Sequence, residues 1–160
     1  GDPRPRTVSG QAFSRLGKNI DEYTYVDMWA GPPVKDGIYD VDDSVTAVIR
    51  TEGPVITVHG AWAQNIGKDE MYIDFMGDKA GIRLQYGGNY TMYSTKDGAL
   101  IESTPSYVST NHYENEINAF VDLVQNGGDS PASIHKAVLT SQIMQAIYDS
   151  SDAGREIVLV

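Results

Sequence analysis

The 160-residue sequence contains no cysteine. Without thiols the chain has no disulfide framework, no thiolate nucleophile and no cysteine-based metal site. A chain of this length buries roughly 70% of its unfolded surface, so it needs neither a disulfide nor a metal for stability. We therefore expect one domain over residues 1–160, in a reducing cytoplasmic compartment.

Positive charge is also scarce. The sequence has 12 Lys and Arg against 22 Asp and Glu, a formal net charge of -10. Such a surface repels a phosphate backbone, so we expect no nucleic-acid partner. No apolar run reaches the roughly 20 residues that a membrane-spanning helix needs, so we expect no membrane partner.

Short alternating segments separated by turn residues dominate the first two thirds of the chain. A first strand is predicted at Thr7–Leu16, with Gly10 as a bulge, before a long loop at 17–40. Three hairpins should follow, because their strands flank the turns EG, GDKAG and KDG. The predicted strands are Ser44–Thr51 with Pro54–Asn65, Met71–Met76 with Gly81–Tyr86, and Tyr90–Thr95 with Ala99–Ser103.

The hydrophobic period then changes to that of a helix. The first helix is predicted over Tyr113–Asn126, with Asn111 as its N-cap and two glycines after its end. The second should begin at Ser130-Pro131 and end near Asp152, before Gly154 and a short final strand. Its predicted inner stripe is Ile134, Ala137, Val138, Ser141, Met144 and Tyr148, widened by Leu139, Ile143, Ala146 and Ile147.

Strands followed by helices indicate an α+β fold: a mostly antiparallel open sheet with helices packed on one face. The other sheet face is semi-apolar. It should carry Val55, Thr57, His59 and Ala61 from one strand, with the tyrosines at 72, 86, 90 and 93 nearby. A second subunit or a second domain would explain this face. The alternative is a sheet with scattered exposed tyrosines, which is common.

The sequence contains no complete catalytic constellation. No G-x-G-x-x-G loop follows a strand, no phosphate-binding P-loop is present, and no histidine pairs at the spacing of a helical metal site. Asp42 and Asp43 cannot form a glycosidase pair, because adjacent strand residues point to opposite faces. We therefore predict no catalytic, cofactor-binding or metal-binding residue in this chain.

One loop could instead bind a small polar molecule. Trp62, Asn65 and Lys68 would offer a stacking surface, an amide and a cation to a polyol. The structural alternative is an ordinary hairpin loop with one core tryptophan. Among the histidines we single out His112, because it stands beside a predicted helix start.

Four segments occur in an order that is typical of one family: YDVDDSVTAVIRTEGPVITVHGAWAQN, YIDFMGDKAGIRL, ENEINAFVDLVQNG and AIYDSSDAGREIVLV. They contain an acidic pair that opens a strand, a tryptophan that ends one, a two-glycine turn at Gly77–Gly81, an E-x-x-x-F helix and an A-I-Y-x-S-x-x-x-G-R exit. This pattern resembles the C-terminal domain of the Gfo/Idh/MocA family of NAD(P)-dependent oxidoreductases. The Gly77–Gly81 turn holds three intervening residues where the family pattern has two.

The resemblance implies a two-domain enzyme in which a Rossmann domain binds NAD or NADP and a following helix carries an Asp-x-x-x-His acid/base. Neither motif occurs in this sequence. The segment Gly1-Asp2-Pro3 matches the turn that leaves that helix, so we expect the N-terminal Rossmann domain and the catalytic helix to lie upstream. This chain alone should then bind no cofactor and be inactive.

The resemblance also implies a role for the domain itself. It would bind a sugar, cyclitol or related polyol and form a homo-oligomer through the open sheet face. The family's substrate-facing loop corresponds to Gln64–Glu70, which favours Trp62, Asn65 and Lys68 as substrate-binding residues. Tyr39, near the end of the long loop, and His112 are further candidates. The alternative is a stand-alone, non-catalytic α+β binding or dimerisation module.

Overall fold

A computed structural model describes residues 3–19, 34, 36–68, 70–108 and 110–159 of the chain. Most of the predicted loop at 17–40 lies outside these residues. The elements are β1 Pro5–Phe13, β2 Ser44–Thr51, β3 Val55–Ala61, β4 Tyr72–Met76, β5 Ala80–Gln85, β6 Tyr90–Lys96, β7 Ala99–Ser103, α1 His112–Asn126, α2 Ile134–Ala153 and β8 Ile157–Val158. Neither of the two helices in the described residues is long and apolar enough to cross a membrane.

The chain divides into two compact units. Unit 1 comprises Gly1–Asn65 with Pro131–Val160, and unit 2 comprises Ile66–Ser130. Each unit contains one four-stranded antiparallel sheet, in the orders β3-β2-β1-β8 and β4-β5-β6-β7. The predicted α+β class with antiparallel strands is confirmed, although the described strands form two sheets rather than one. The strands do not form one continuous sheet, because β3 ends at Ala61 and the residues that follow it bend away from strand geometry.

The core of unit 1 lies between one face of its sheet and α2. Val8, Ala47 and Ile49 point from the strands toward Ala146 and Ile147 on the helix. Full burial of one such branched side chain stabilises the fold by roughly 1.5–3 kcal/mol. The opposite sheet face is exposed, and it carries Val55, Thr57, His59 and Ala61 as the alternation predicted.

Gly10 marks the closest approach of helix and sheet. The bulge predicted there is wrong: Gly10 pairs in register with Ala47, and the irregularity of β1 lies between Pro5 and Thr7. A Cβ at Gly10 would lie 2.8 Å from Cγ2 of Ile147 and 3.2 Å from Cβ of Ala47. The glycine is therefore required by packing, since a side chain would push α2 off the sheet.

The buried stripe of α2 differs from the predicted one. The residues that face the sheet are Ala146, Ile147 and Ser150, with Ile143 packed against them. All six residues of the predicted inner stripe are exposed: Ile134, Ala137, Val138, Ser141, Met144 and Tyr148. Apolar residues occur on both sides of this helix, so periodicity alone does not select a face. Ile147 faces inward between the small residues Ala146 and Ser150, because the helix lies directly over Gly10, which leaves room for the Ile147 side chain. The helix also begins later than predicted, with Ser133 as its N-cap.

Two serines of α2 form hydrogen bonds with backbone N–H groups of β1, in the part of the strand that no longer pairs with β8. The Ser150 hydroxyl accepts the Gly10 N–H at 2.9 Å and donates to the Arg155 carbonyl at 2.7 Å. The Ser151 hydroxyl accepts the Ala12 N–H at 3.1 Å. Ser150 is buried but fully bonded, so it does not carry the cost of an unpaired buried polar group.

The sheet of unit 2 has one apolar and one polar face. The register places Phe75 opposite Ile82, and Ile82 opposite Met92, on the same face as Ile73 and Leu84. We call these five residues the unit 2 apolar face. The opposite face carries the Asp74–Arg83 ion pair.

Helix α1 also belongs to unit 2. The Asn111 side chain accepts the N–H groups of Tyr113 and Glu114, which confirms the predicted N-cap. Gly127 ends the helix at a φ of 71°, a value that favours glycine. The stripe predicted to pack on a sheet is exposed in the described structure: Ile117, Phe120, Val121 and Val124. Among the described residues, α2 packs on a sheet face and α1 does not.

Candidate functional site

Trp62 follows β3 and is fixed at two points. Its backbone N–H donates to the Asp43 carbonyl at 3.0 Å, and its indole Nε1–H donates to the Asp42 carbonyl at 3.1 Å. The residue nevertheless remains 45% exposed. The indole is thus held at a defined angle with much of its surface available for contact. It is not the core tryptophan of the structural alternative.

Tyr39 lies beside Trp62. The two ring centroids are 5.8 Å apart, and the rings are tilted by 48°. The structure therefore brings together two of the five predicted substrate-binding residues, which are 23 positions apart in the sequence. We call Tyr39 and Trp62 the aromatic pair.

A groove of about 360 Å³ opens next to Trp62 within unit 1. Small-molecule sites in proteins are commonly concave, largely apolar, and roughly 300–1,000 Å³ in volume. Met144, Ile147 and Tyr148 of α2 form one wall. The other lining residues come from the strand ends and the segment before β2: Ala12, Asp42, Asp43, Ser44, Val45, Val58, Gly60, Ala61 and Trp62.

The two aspartates at this groove differ in their surroundings. Asp43 is 2% exposed, and its Oδ2 accepts the backbone N–H groups of Arg15 at 2.6 Å and Gly17 at 3.0 Å. Burial acts to raise the pKa of Asp43, but these backbone hydrogen bonds outweigh it and hold the pKa below its usual value. Asp42 is half-buried, and among the described residues its carboxylate has no hydrogen bond or ion pair.

Asn65, Lys68 and His112 are not assembled around the aromatic pair within unit 1. Asn65 is exposed, three residues after Trp62. Lys68 and His112 belong to unit 2. Lys68 forms an ion pair with Glu70, and this bond lowers the pKa of Glu70. His112 is the exposed first residue of α1.

Another cavity, of about 200 Å³, lies within unit 2 and includes Lys68 and Arg83. Arg83 is bonded to both carboxylate oxygens of Asp74, at 2.7 and 2.6 Å, and its guanidinium carbon lies 4.2 Å from the centroid of the Tyr72 ring. Since Lys68 pairs with Glu70, each cation already faces a carboxylate. The cavity therefore offers little net positive charge to an anion.

Neither cavity fits a dinucleotide or a metal. The pyrophosphate of NAD or NADP is negative, whereas the unit 1 groove presents Asp42 and Asp43, and the two cations of the unit 2 cavity, Lys68 and Arg83, are paired with carboxylates. Within the described ranges, no group of three or more histidine, aspartate or glutamate side chains could hold a metal ion. We assign neither group to the described residues.

Solved structures share the fold of this chain. The chain matches an aldose–aldose oxidoreductase from Caulobacter crescentus with a TM-score of 0.71 and 13% identity, over 98% of this chain and 42% of that one. It matches an NAD-binding protein from Listeria innocua with a TM-score of 0.63 and 15% identity, over 99% and 42% of the two chains. At these identities, the likeness establishes the fold.

A sequence match is more particular. The chain is 24% identical over 164 residues to D-glucoside 3-dehydrogenase from Escherichia coli, which covers 99% of this chain. No family model matches the sequence. The chain spans 44% of the length of that relative. These matches confirm the resemblance to oxidoreductases of the Gfo/Idh/MocA type that the motifs predicted.

The structure reveals one functional feature that sequence reasoning missed. In the sequence Asp43 is only one half of an acidic pair, whereas in the structure its buried carboxylate organises the turn at Arg15–Gly17. The available signal was an acidic residue just before a predicted strand that the fold must bury. A buried carboxylate needs donors, but the sequence does not say that backbone N–H groups 26 and 28 residues earlier supply them.

Proposed function

We propose that this chain is the substrate-binding domain of an NAD(P)-dependent oxidoreductase acting on a sugar, cyclitol or related polyol. The observation that carries this proposal is the anchored but half-exposed Trp62 beside a groove of about 360 Å³. The match to D-glucoside 3-dehydrogenase supports the reaction class and a glycoside-like substrate.

The groove has the two kinds of surface that a polyol ring needs. The Trp62 indole and the Tyr148 ring offer apolar faces against the C–H side of a sugar ring. The Asp42 carboxylate can accept hydrogen bonds from hydroxyl groups. Because Trp62 is fixed through both of its N–H groups, little conformational entropy is lost when a ligand contacts it.

NAD or NADP would supply the hydride-accepting chemistry. The described residues would hold the substrate and exclude water from one side of it, so that the reacting carbon is presented in a fixed orientation. Asn65, Lys68 and His112 remain proposed substrate contacts, as does Tyr39 through its contact with Trp62.

Binding of sugars to the 160-residue chain tests this proposal. We expect isothermal titration with a methyl glucoside or myo-inositol to show binding, which Trp62→Ala weakens about tenfold because a stacking surface worth ~1.4 kcal/mol is lost. Tyr107→Ala is the matched control, since Tyr107 is an exposed aromatic residue of unit 2 that lines neither of the two cavities described. It should leave the affinity unchanged.

Two outcomes of this titration would contradict the proposal. A folded chain that binds none of these polyols, or binds them equally well without Trp62, would contradict a substrate site at the groove. That outcome would favour the alternative of a non-catalytic α+β binding or dimerisation module.

We also propose that the chain forms a homo-oligomer. The sequence predicts that the open face with Val55, Thr57, His59 and Ala61 is the interface, whereas we assign this role to the unit 2 apolar face. Ile73 and Phe75 are each 54% exposed there, next to Met92. Contiguous exposed apolar area of this kind is typical of protein–protein interfaces.

Sedimentation at high protein concentration tests the interface. The wild-type chain should sediment above its monomer mass of 17.5 kDa, and Phe75→Glu should shift it to the monomer by burying an unpaired charge. Met76→Glu is the control, because Met76 points to the opposite face of the same strand and is 89% exposed. Dissociation by both variants, or by neither, would contradict the assignment.

A further inference from the structure

We propose that Asp43 is a positioning residue that sets the aromatic pair through the backbone of Arg15–Gly17. No contact between the Asp43 carboxylate and either aromatic ring is needed. The coupling runs from the carboxylate to the Gly17 backbone, from Gly17 to the Tyr39 ring, and from that ring to Trp62.

The first step is the carboxylate itself. Its Oδ2 accepts two backbone N–H groups, from Arg15 and Gly17, while Oδ1 accepts the Ser44 hydroxyl at 3.2 Å. The backbone N–H of Asp43 also donates to the Phe13 carbonyl at 2.8 Å. One residue therefore fixes both the end of β1 and the turn that follows it.

The second step is the contact between that turn and Tyr39. A Cβ added at Gly17 would overlap the phenol ring and lie 2.6 Å from its Cε2 atom. The bare Gly17 backbone is therefore one surface against which the Tyr39 ring is placed. Any displacement of this backbone moves that surface.

The third step is the contact of Trp62 with both Tyr39 and the backbone of Asp43. Tyr39 lies against Trp62 at 5.8 Å between centroids, and Trp62 donates its backbone N–H to the carbonyl of Asp43. Asp43 thus holds Trp62 directly through its carbonyl and holds the neighbouring ring through its carboxylate. The effect on a bound sugar rests on the function proposed above, whereas the coupling within the protein does not.

The experiment observes Trp62 without a ligand. The sequence has two tryptophans, so Trp29→Phe leaves Trp62 as the single indole for 5-fluorotryptophan labelling and ¹⁹F NMR. We expect Asp43→Asn to shift or broaden the Trp62 resonance, because the amide offers one neutral acceptor oxygen where the carboxylate offers two that share a negative charge, so the bonds to Arg15 and Gly17 weaken. Gly17→Ala should also move it, by displacing Tyr39. The double variant should change the resonance by less than the sum of the two.

Asp40→Asn is the control, because it makes the same chemical change at an exposed aspartate three residues earlier. It should leave the resonance in place. A folded Asp43→Asn protein with an unmoved resonance would overturn the proposal, because a purely stabilising role predicts that result. If Asp43→Asn does not fold, Gly17→Ala decides, since it keeps the carboxylate: an unmoved Trp62 resonance then overturns the coupling.

The two proposals fail separately. A resonance that moves in a chain that binds no polyol supports the coupling and contradicts the substrate site. Polyol binding that Asp43→Asn leaves unchanged, together with an unmoved resonance, contradicts the coupling and supports the substrate site.

Discussion

Replacing Gly10 by alanine is expected to lower the free energy of unfolding by about 2 kcal/mol, within the usual cost of overpacking a core. The new Cβ would lie 2.8 Å from Cγ2 of Ile147, which is itself buried on α2. Neither the strand nor the helix can move away without opening the core around Val8 and Ile49. Urea unfolding followed by circular dichroism measures the change.

Gly60→Ala is the matched control for this substitution. Gly60 is also a strand glycine of unit 1, but a Cβ there would meet only Val45, at an ordinary 3.8 Å. Its replacement should be neutral or mildly stabilising, because alanine restricts the unfolded chain more than glycine does. If the clash with Ile147 is the cause, Gly10→Ala combined with Ile147→Ala should cost about 1 kcal/mol less than the two single costs together. Equal effects at Gly10 and Gly60 would show that the close approach is not limiting.

The same contact explains why the fold could be predicted more fully than its packing. Turn residues and alternation locate the strands from β2 to β7 to within a few residues, because these signals are local. The buried face of α2 was predicted wrongly because apolar residues occupy both of its sides. The face that is buried depends on a glycine more than 130 residues earlier, whose missing side chain leaves room for Ile147.

The candidate site was likewise predictable only in part: the sequence could select its residues but not the contacts between them. Trp62 and Tyr39 could be singled out because aromatic side chains near a loop are recognisable in any sequence. Their proximity depends on Gly17, whose missing side chain makes room for Tyr39. The role of Asp43 was not predictable, because its partners are backbone groups and every residue type except proline carries the same N–H.

Ser150 and Asp43, the two buried polar residues of unit 1, both accept backbone N–H groups in or just after β1. Beyond Val8, the strand β1 loses β8 as a partner, and its N–H groups need acceptors. Ser150 accepts one from Gly10, and Asp43 accepts those that follow the strand at Arg15 and Gly17. Only the second acceptor is charged, so only it makes the local structure depend on pH.

Asp43→Asn is therefore expected to lower the free energy of unfolding at pH 7 by about 3 kcal/mol, since each hydrogen bond to a charged group contributes roughly 1.5–3 kcal/mol. The pKa of Asp43 in the folded protein lies below its ordinary value of 3.8. The contribution of its charge is thus fully present above that ordinary value and is lost as the pH falls through the lower, folded-state pKa.

The stability difference between wild type and Asp43→Asn should therefore stay constant from pH 7 down to about pH 5 and shrink at pH values below about 4. Urea unfolding across this range measures it, and the other carboxylates cancel because both proteins contain them. Asp40→Asn, at an exposed aspartate, should show almost no difference from wild type at any pH. A difference at Asp43 that persisted unchanged at pH 2 would mean that shape, and not the charge of the carboxylate, holds the Arg15–Gly17 turn.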